Sequence, residues 1–174
     1  MKKDYQLNFN ERNRSGRVNI AEEKAVDFFN KSGAYLIRMG NDEKNNPIPY
    51  KKIMLLSSEL RGMPDFIVLG SRASFCEVKG CNDVLRIKKY DMLQYNYWNT
   101  QFEKVKLIFF IYSTKINDHI IIKFNALRNF ILNNDVKTGV YEDNNKEYFE
   151  IPVEVLLLMN VLFGYLTKKW IDFE

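Results

Sequence analysis

Three side chains in the middle of the chain have types and spacing that suit chemistry: Asp65, Glu77 and Lys79. They lie within Arg61–Gly80, RGMPDFIVLGSRASFCEVKG. Two apolar runs, Phe66–Leu69 and Phe75–Val78, flank a Gly-Ser-Arg-Ala-Ser turn, which is the pattern of a β-hairpin. Residues two apart on a strand share a face, so Glu77 and Lys79 are neighbours and Val78 points the other way. Pro64 fixes φ just ahead of the first strand and aims Asp65. Two carboxylates and an amine on paired strands make a poor core but a good metal site. Carboxylates are hard oxygen ligands of the kind Mg²⁺ takes together with water and phosphate oxygens. A metal there would acidify a bound water and neutralise charge at a scissile phosphate. Lys79 would orient or activate that water and stabilise the developing charge. A single Glu-x-Lys triplet is commonplace on surface strands. Gly-Met-Pro-Asp twelve positions upstream makes the joint pattern far more specific.

Pro64-Asp65 followed by Glu77-Val78-Lys79 resembles the PD-(D/E)xK nuclease superfamily. Gly62-Met63-Pro64-Asp65, then Glu77-Val78-Lys79-Gly80, then Asn82-Asp83 and Leu85, then a helix carrying Gln94, is similar to the virus-type replication-repair nuclease domain, VRR-NUC. Archaeal Holliday junction resolvases share the Pro-Asp and Glu-x-Lys elements. The resemblance spans about residues 20–113. It implies a restriction-endonuclease-like α/β fold, a central mixed β-sheet flanked by helices. It also implies Asp65, Glu77 and Lys79 as the catalytic core, with Mg²⁺ as cofactor and Mn²⁺ as a substitute. Asp65 and Glu77 would bind the metal, with the Val78 backbone carbonyl as a further ligand. The related pattern puts its Gln about one turn earlier, nearer Lys89, so either the loop is longer here or Gln94 is not the equivalent residue. Gln94 has a specific use either way, since its amide could hold a water or a phosphate.

These groups need elements to position them. Ile20–Lys31 has helical periodicity, with Ala21, Ala25 and Phe28 on one stripe and Val26 and Phe29 widening it. Glu22 falls at the edge of that face and Glu23 outside it. The resembled families place a Glu of the first helix beside the metal. Glu22 takes that role here, with Glu23 in reserve. Ala34–Met39 reads as a strand. Asp83 reads as the cap of a helix running through Trp98, along which Arg86, Lys89 and Gln94 would line a phosphate track, with Lys88 a further nucleic-acid contact. Arg61 is a further phosphate contact or an ordinary surface residue. Val105–Tyr112 is nearly continuous apolar sequence, as in a strand covered on both faces. His119–Phe124 follows as another strand, and Asn125 opens a short helix. Pro152–Lys169 reads as a last helix, apolar around most of its circumference, that covers the sheet or joins two subunits.

Composition sets the bounds. The 174 residues make one domain, 20–174, with a helical extension from about 125, preceded by a basic arm, 1–19, that holds Arg12, Arg14 and Arg17. The net charge of +4 is compatible with nucleic acid without pointing to it. One His excludes sites built on histidine clusters, and Cys76 and Cys81 suit neither a disulfide nor a zinc site. No signal peptide is visible, and the apolar stretch 153–166 is interrupted by Glu154 and Asn160 and too short to span a bilayer. The expectation is a cytoplasmic, Mg²⁺-dependent deoxyribonuclease with no membrane contact, acting on branched or structured DNA, as a homodimer. A restriction- or transposon-type endonuclease would use the same residues. So would an RNA nuclease, while a non-catalytic DNA-binding module of the same fold would keep the basic residues alone.

Overall fold

A computed structural model describes residues 19–39, 50–142 and 144–163. Residues 1–18 of the expected basic arm, the segment 40–49 and the part of the expected last helix beyond residue 163 lie outside these residues. In chain order the elements are α1 (Asn19–Lys31), β1 (Tyr35–Arg38), α2 (Tyr50–Ile53), α3 (Ser58–Arg61), β2 (Phe66–Leu69) and β3 (Ala73–Cys81). They continue as β4 (Val84–Lys88), α4 (Lys89–Gln101), β5 (Lys106–Ser113), β6 (Asp118–Lys123), α5 (Phe124–Asn133), β7 (Thr138–Val140), β8 (Glu147–Pro152) and α6 (Val153–Phe163).

Five strands form a mixed sheet in the order β1-β2-β3-β5-β6. The β1–β2, β2–β3 and β5–β6 pairs are antiparallel, and β3–β5 is parallel. A parallel pair needs a long crossover, and here β4 and α4 provide it. From Leu107 to Ser113 β5 is buried at every position, which accounts for its unbroken apolar sequence. Side chains alternate across the sheet. Phe66, Val68, Cys76, Val78, Ile108 and Phe110 pack under Ala21, Ala25 and Phe29 of α1. Phe75, Leu107, Phe109 and Ile111 face the other way, toward Tyr95 and Trp98 of α4 and Leu127 of α5. The α/β architecture is thus the expected one, a mixed sheet with helices on both faces.

Three segments differ from the sequence reading. The helix expected from Asp83 to Trp98 is split: Val84–Lys88 is strand and α4 begins at Lys89. Leu85 and Ile87 are buried while Arg86 is exposed. That period-2 alternation fits a half-buried strand, and β8 supplies its partner, with Leu85 opposite Ile151 and Ile87 opposite Phe149. The second difference follows from the first. A separate antiparallel sheet, β4-β8-β7, stands beside the main one, where the sequence after residue 125 reads as a helical extension with one short extended piece, Tyr148–Ile151, which lies within β8. Third, Pro152 closes β8 and α6 starts at Val153. Pro152 pairs with Val84 at the end of the ladder, a place where its missing N–H costs little.

The end of α1 has a local explanation. Gly33 has φ +76°, the left-handed conformation that L side chains resist. Its N–H bonds the Asn30 carbonyl, and the Ala34 N–H reaches back to Phe29. This pair of bonds is a Schellman motif, which satisfies the last carbonyls and turns the chain into β1. No atom lies within 4 Å of where a Cβ on Gly33 would stand, so substitution there reports conformation alone. Gly33→Ala should lower stability by about 1–2 kcal/mol with no change in fold. Urea unfolding followed by circular dichroism measures it.

Candidate active site

The β2–β3 hairpin explains why the acids meet. The last ladder pair is Phe66 opposite Cys76; continuing one step places Asp65 across from Glu77. Directly opposed residues of an antiparallel pair project to the same face at close range. One step further Pro64 would oppose Val78, and proline has no N–H to offer the ladder. The ladder stops there, and a side chain takes over: Asp65 Oδ2 accepts the Val78 N–H at 2.7 Å. The Asp65 backbone stays in the sheet, its carbonyl accepting the Met39 N–H at 2.9 Å. Asp65 is therefore held at both ends.

Glu77 is 7% exposed and anchored by two donors. Lys79 Nζ lies 2.6 Å from Glu77 Oε1, and the Tyr95 hydroxyl donates to the same oxygen at 2.8 Å. The Lys79 side chain retains 28% of its exposure, so the amine stands at the boundary between core and solvent. Asp65 Oδ1 and Glu77 Oε2 receive no hydrogen bond from the described residues.

The electrostatics follow from this packing. Burial is the largest influence on Asp65 and the Glu77 charge the next, and together they raise its pKa to about 7 against the counter-pull of Lys79 and the Val78 N–H. Burial works against the charge on Lys79, but Glu77, Tyr95 and Asp65 outweigh it and hold the ammonium well above its ordinary range. Lys79 is thus a permanent donor and cation in this arrangement, unable to accept a proton. Burial pushes the Tyr95 hydroxyl upward, so it too remains a donor.

The other sequence candidates are placed differently. Glu22 lies on α1, and its Oε2 accepts from Arg38 Nη2 at 2.7 Å. Its charge reaches Asp65 only as the weakest of the influences on that group. Arg38 in turn lies over the Phe66 ring, on the α1 side of the sheet. Glu23 is exposed. Gln94 is buried on α4, and its Oε1 has no hydrogen-bond partner among the described residues. Its Cγ would stand 2.7 Å from a Cβ added at Gly62, so the Gly-Met-Pro-Asp turn rests directly on this side chain. The glycine of that motif is needed for close approach. Arg61 is exposed and touches Met54 Sδ at 3.0 Å. Arg86 pairs with Glu150 and Lys89 with Glu147, while Lys88 ends β4. These three cations therefore sit on or beside the second sheet, with Arg86 also stacked over the Tyr148 ring.

Tyr95 is the site residue that the sequence reading does not single out. The helical phase of α4 marks it as buried, but only the crossing of α4 over β3 aims its hydroxyl at Glu77.

The donor set fits a hard dication. Two carboxylate oxygens lack protein donors, and the Val78 carbonyl leaves the same strand edge as its N–H, toward Asp65. No three His, Cys, Asp or Glu side chains among the described residues form a cage, so the remaining positions would fall to water and substrate, as is usual for Mg²⁺.

No family model matches the chain, and no curated protein does. Solved structures that resemble it include two nucleases. One is Hjc from Archaeoglobus fulgidus, a Holliday junction resolvase from an archaeal hyperthermophile, at 12% identity and a TM-score of 0.47 over 79% of this chain and 85% of that one. The other is D212, a nuclease from a fusselovirus, at 12% identity and a TM-score of 0.41 over 84% and 89%. Similarity at this level leaves the chemistry to be argued from the side chains themselves.

The raised Asp65 pKa has a thermodynamic consequence. Its folded value, about 7, lies above the ordinary 3.8. Between these values the native chain holds a proton that the unfolded chain has released. Stability from this group is full below about pH 4 and is lost as pH rises toward 7, by at most about 4 kcal/mol. In metal-free buffer, Asp65→Asn should flatten this decline and exceed the parent chain in stability at pH 8. Urea unfolding across pH 4–8 measures the difference between the two proteins.

Proposed function

We propose that the chain is a divalent-metal-dependent endonuclease that hydrolyses DNA phosphodiester bonds. The observation that carries this reading is the convergence of Asp65, Glu77 and Lys79 at the point where the β2–β3 ladder ends, with a carboxylate oxygen of each acid left without a protein donor.

The roles follow from the geometry. Asp65 and Glu77, with the Val78 carbonyl, would hold Mg²⁺ or Mn²⁺, which would supply an acidified water and offset charge on the phosphate. Lys79 has two further N–H groups beyond the one on Glu77. They orient the attacking water or meet a non-bridging phosphate oxygen, and the positive charge stabilises the additional negative charge of the transition state. In this reading Lys79 acts on the nucleophilic water by positioning it and by its charge. Gln94 supports the Asp65 turn from below through Gly62, and Glu22 assists from α1 by its charge. Arg61, Arg86, Lys88 and Lys89 are the phosphate-contacting candidates outside the metal site.

The preferred substrate in this reading is branched or junction DNA, cut by a homodimer that presents one site to each of two strands. Leu158 on α6 is 65% exposed while Val153, Leu156 and Met159 of the same helix are buried, which is consistent with α6 as the dimer contact. No helix among the described residues is long and apolar enough to cross a membrane.

Asp65→Ala, Glu77→Ala and Lys79→Ala should each reduce Mg²⁺-dependent cleavage of a four-way junction by about a hundredfold or more while keeping the circular dichroism spectrum. Full activity in any one of the three would remove that residue from the mechanism. Running linear duplexes and RNA beside the junction separates structure selection from sequence selection and from ribonuclease activity. DNA affinity should drop steeply between about 50 and 200 mM salt. A flat response in fluorescence anisotropy would exclude a phosphate-tracking surface.

A further inference from the structure

The hydroxyl of Tyr95 has a definite task beyond filling the core. It reaches Glu77 Oε1 from α4 at 2.8 Å, and Lys79 Nζ reaches the same oxygen from β3 at 2.6 Å. Two donors on one carboxylate oxygen occupy both of its lone-pair directions. The other oxygen, Oε2, has no donor among the described residues. We infer that Tyr95 is a positioning residue that, together with Lys79, fixes the Glu77 carboxylate so that Oε2 is the oxygen presented to a divalent cation.

The ring is suited to this. Tyr95 is 3% exposed. It meets Phe109 edge to face, with centroids 5.0 Å apart at 88°, and Phe124 at 6.3 Å. Both partners are wholly buried, so the ring has no room to turn and the direction of its hydroxyl is set by the core. Lys79 alone would not do the same. Its chain is flexible and partly exposed, and an ammonium can slide between the two oxygens of a carboxylate. A phenol on a locked ring cannot. Lys79 Nζ also lies 5.8 Å from the Tyr95 ring centroid, so the same side chain limits where the amine can go. A buried phenol donating to a carboxylate is also a charge-assisted bond, stronger than a neutral one.

This inference rests on the metal site proposed above and is tested without nucleic acid. Tyr95→Phe in the full chain removes one oxygen and keeps the ring, so the core packing and the circular dichroism spectrum should be preserved. Mn²⁺ affinity, read by titration calorimetry, should weaken about tenfold or more, the usual size of the loss when the group that orients a ligand is removed. In a Glu77→Gln background the same substitution should add nothing further, because its effect passes through Glu77. Parent-like Mn²⁺ affinity in Tyr95→Phe overturns the inference. So does an undiminished additional loss in the Glu77→Gln background, which would mark a general packing effect. A parent chain that binds no Mn²⁺ overturns it as well. If the parent binds Mn²⁺ and Tyr95→Phe weakens it as expected, but neither protein cuts any nucleic acid, the nuclease reading fails and the positioning role stands.

Discussion

Two carboxylates facing each other across the end of a buried hairpin set the terms for everything around them. Left alone, Asp65 and Glu77 would repel and would carry an uncompensated desolvation cost. The structure answers with three donors: the Val78 N–H on Asp65, and Lys79 and Tyr95 on Glu77. Even so, Asp65 titrates near 7, so the compensation is incomplete. A metal cation at this point would supply the missing positive charge. The site therefore resembles a socket more than a structural ion pair, because replacing these groups with apolar residues would be the cheaper way to build a core.

Rigid neighbours are what make such an arrangement tenable. β3 pairs along its full length with β5, the most deeply buried strand of the sheet. Phe109, opposite Glu77 in that ladder, also packs against the Tyr95 ring. One core residue thus braces both the acid and its donor. On the far side, α1 covers the sheet through Ala21, Ala25 and Phe29, while the Glu22–Arg38 pair ties the start of that helix to β1. Ala21 lies directly over β3: a Cβ added at Gly80 would stand 3.4 Å from that of Ala21, at van der Waals contact. Positioning at the site is inherited from these contacts, not from the polar groups themselves.

The second sheet changes how the basic residues are seen. On a helix, Arg86 and Lys89, three residues apart, would have shared one face. On β4 and the start of α4, Arg86 and Lys89 are held by Glu150 and Glu147 of β8, and Lys137 also bonds Glu150. These exposed pairs contribute little stability each. They exchange readily with other anions, which keeps a phosphate contact compatible with the observed pairing.

What the sequence determined by itself was local. Two short apolar runs around a turn, with the Pro-Asp and Glu-x-Lys spacings, placed Asp65, Glu77 and Lys79 on a hairpin, because strand period and proline geometry act over a few residues. The unbroken run in β5 announced a strand buried on both faces for the same reason. Val84–Lys88 escaped that logic: five residues are too few to separate a strand from the first turns of a helix, and the deciding partner, β8, lies more than sixty positions away. The Glu22–Arg38 bond, the Gln94 contact with Gly62 and the Tyr95 bond to Glu77 were likewise decided only by tertiary packing. Each joins groups on different elements, and no local spacing encodes how a helix crosses a sheet.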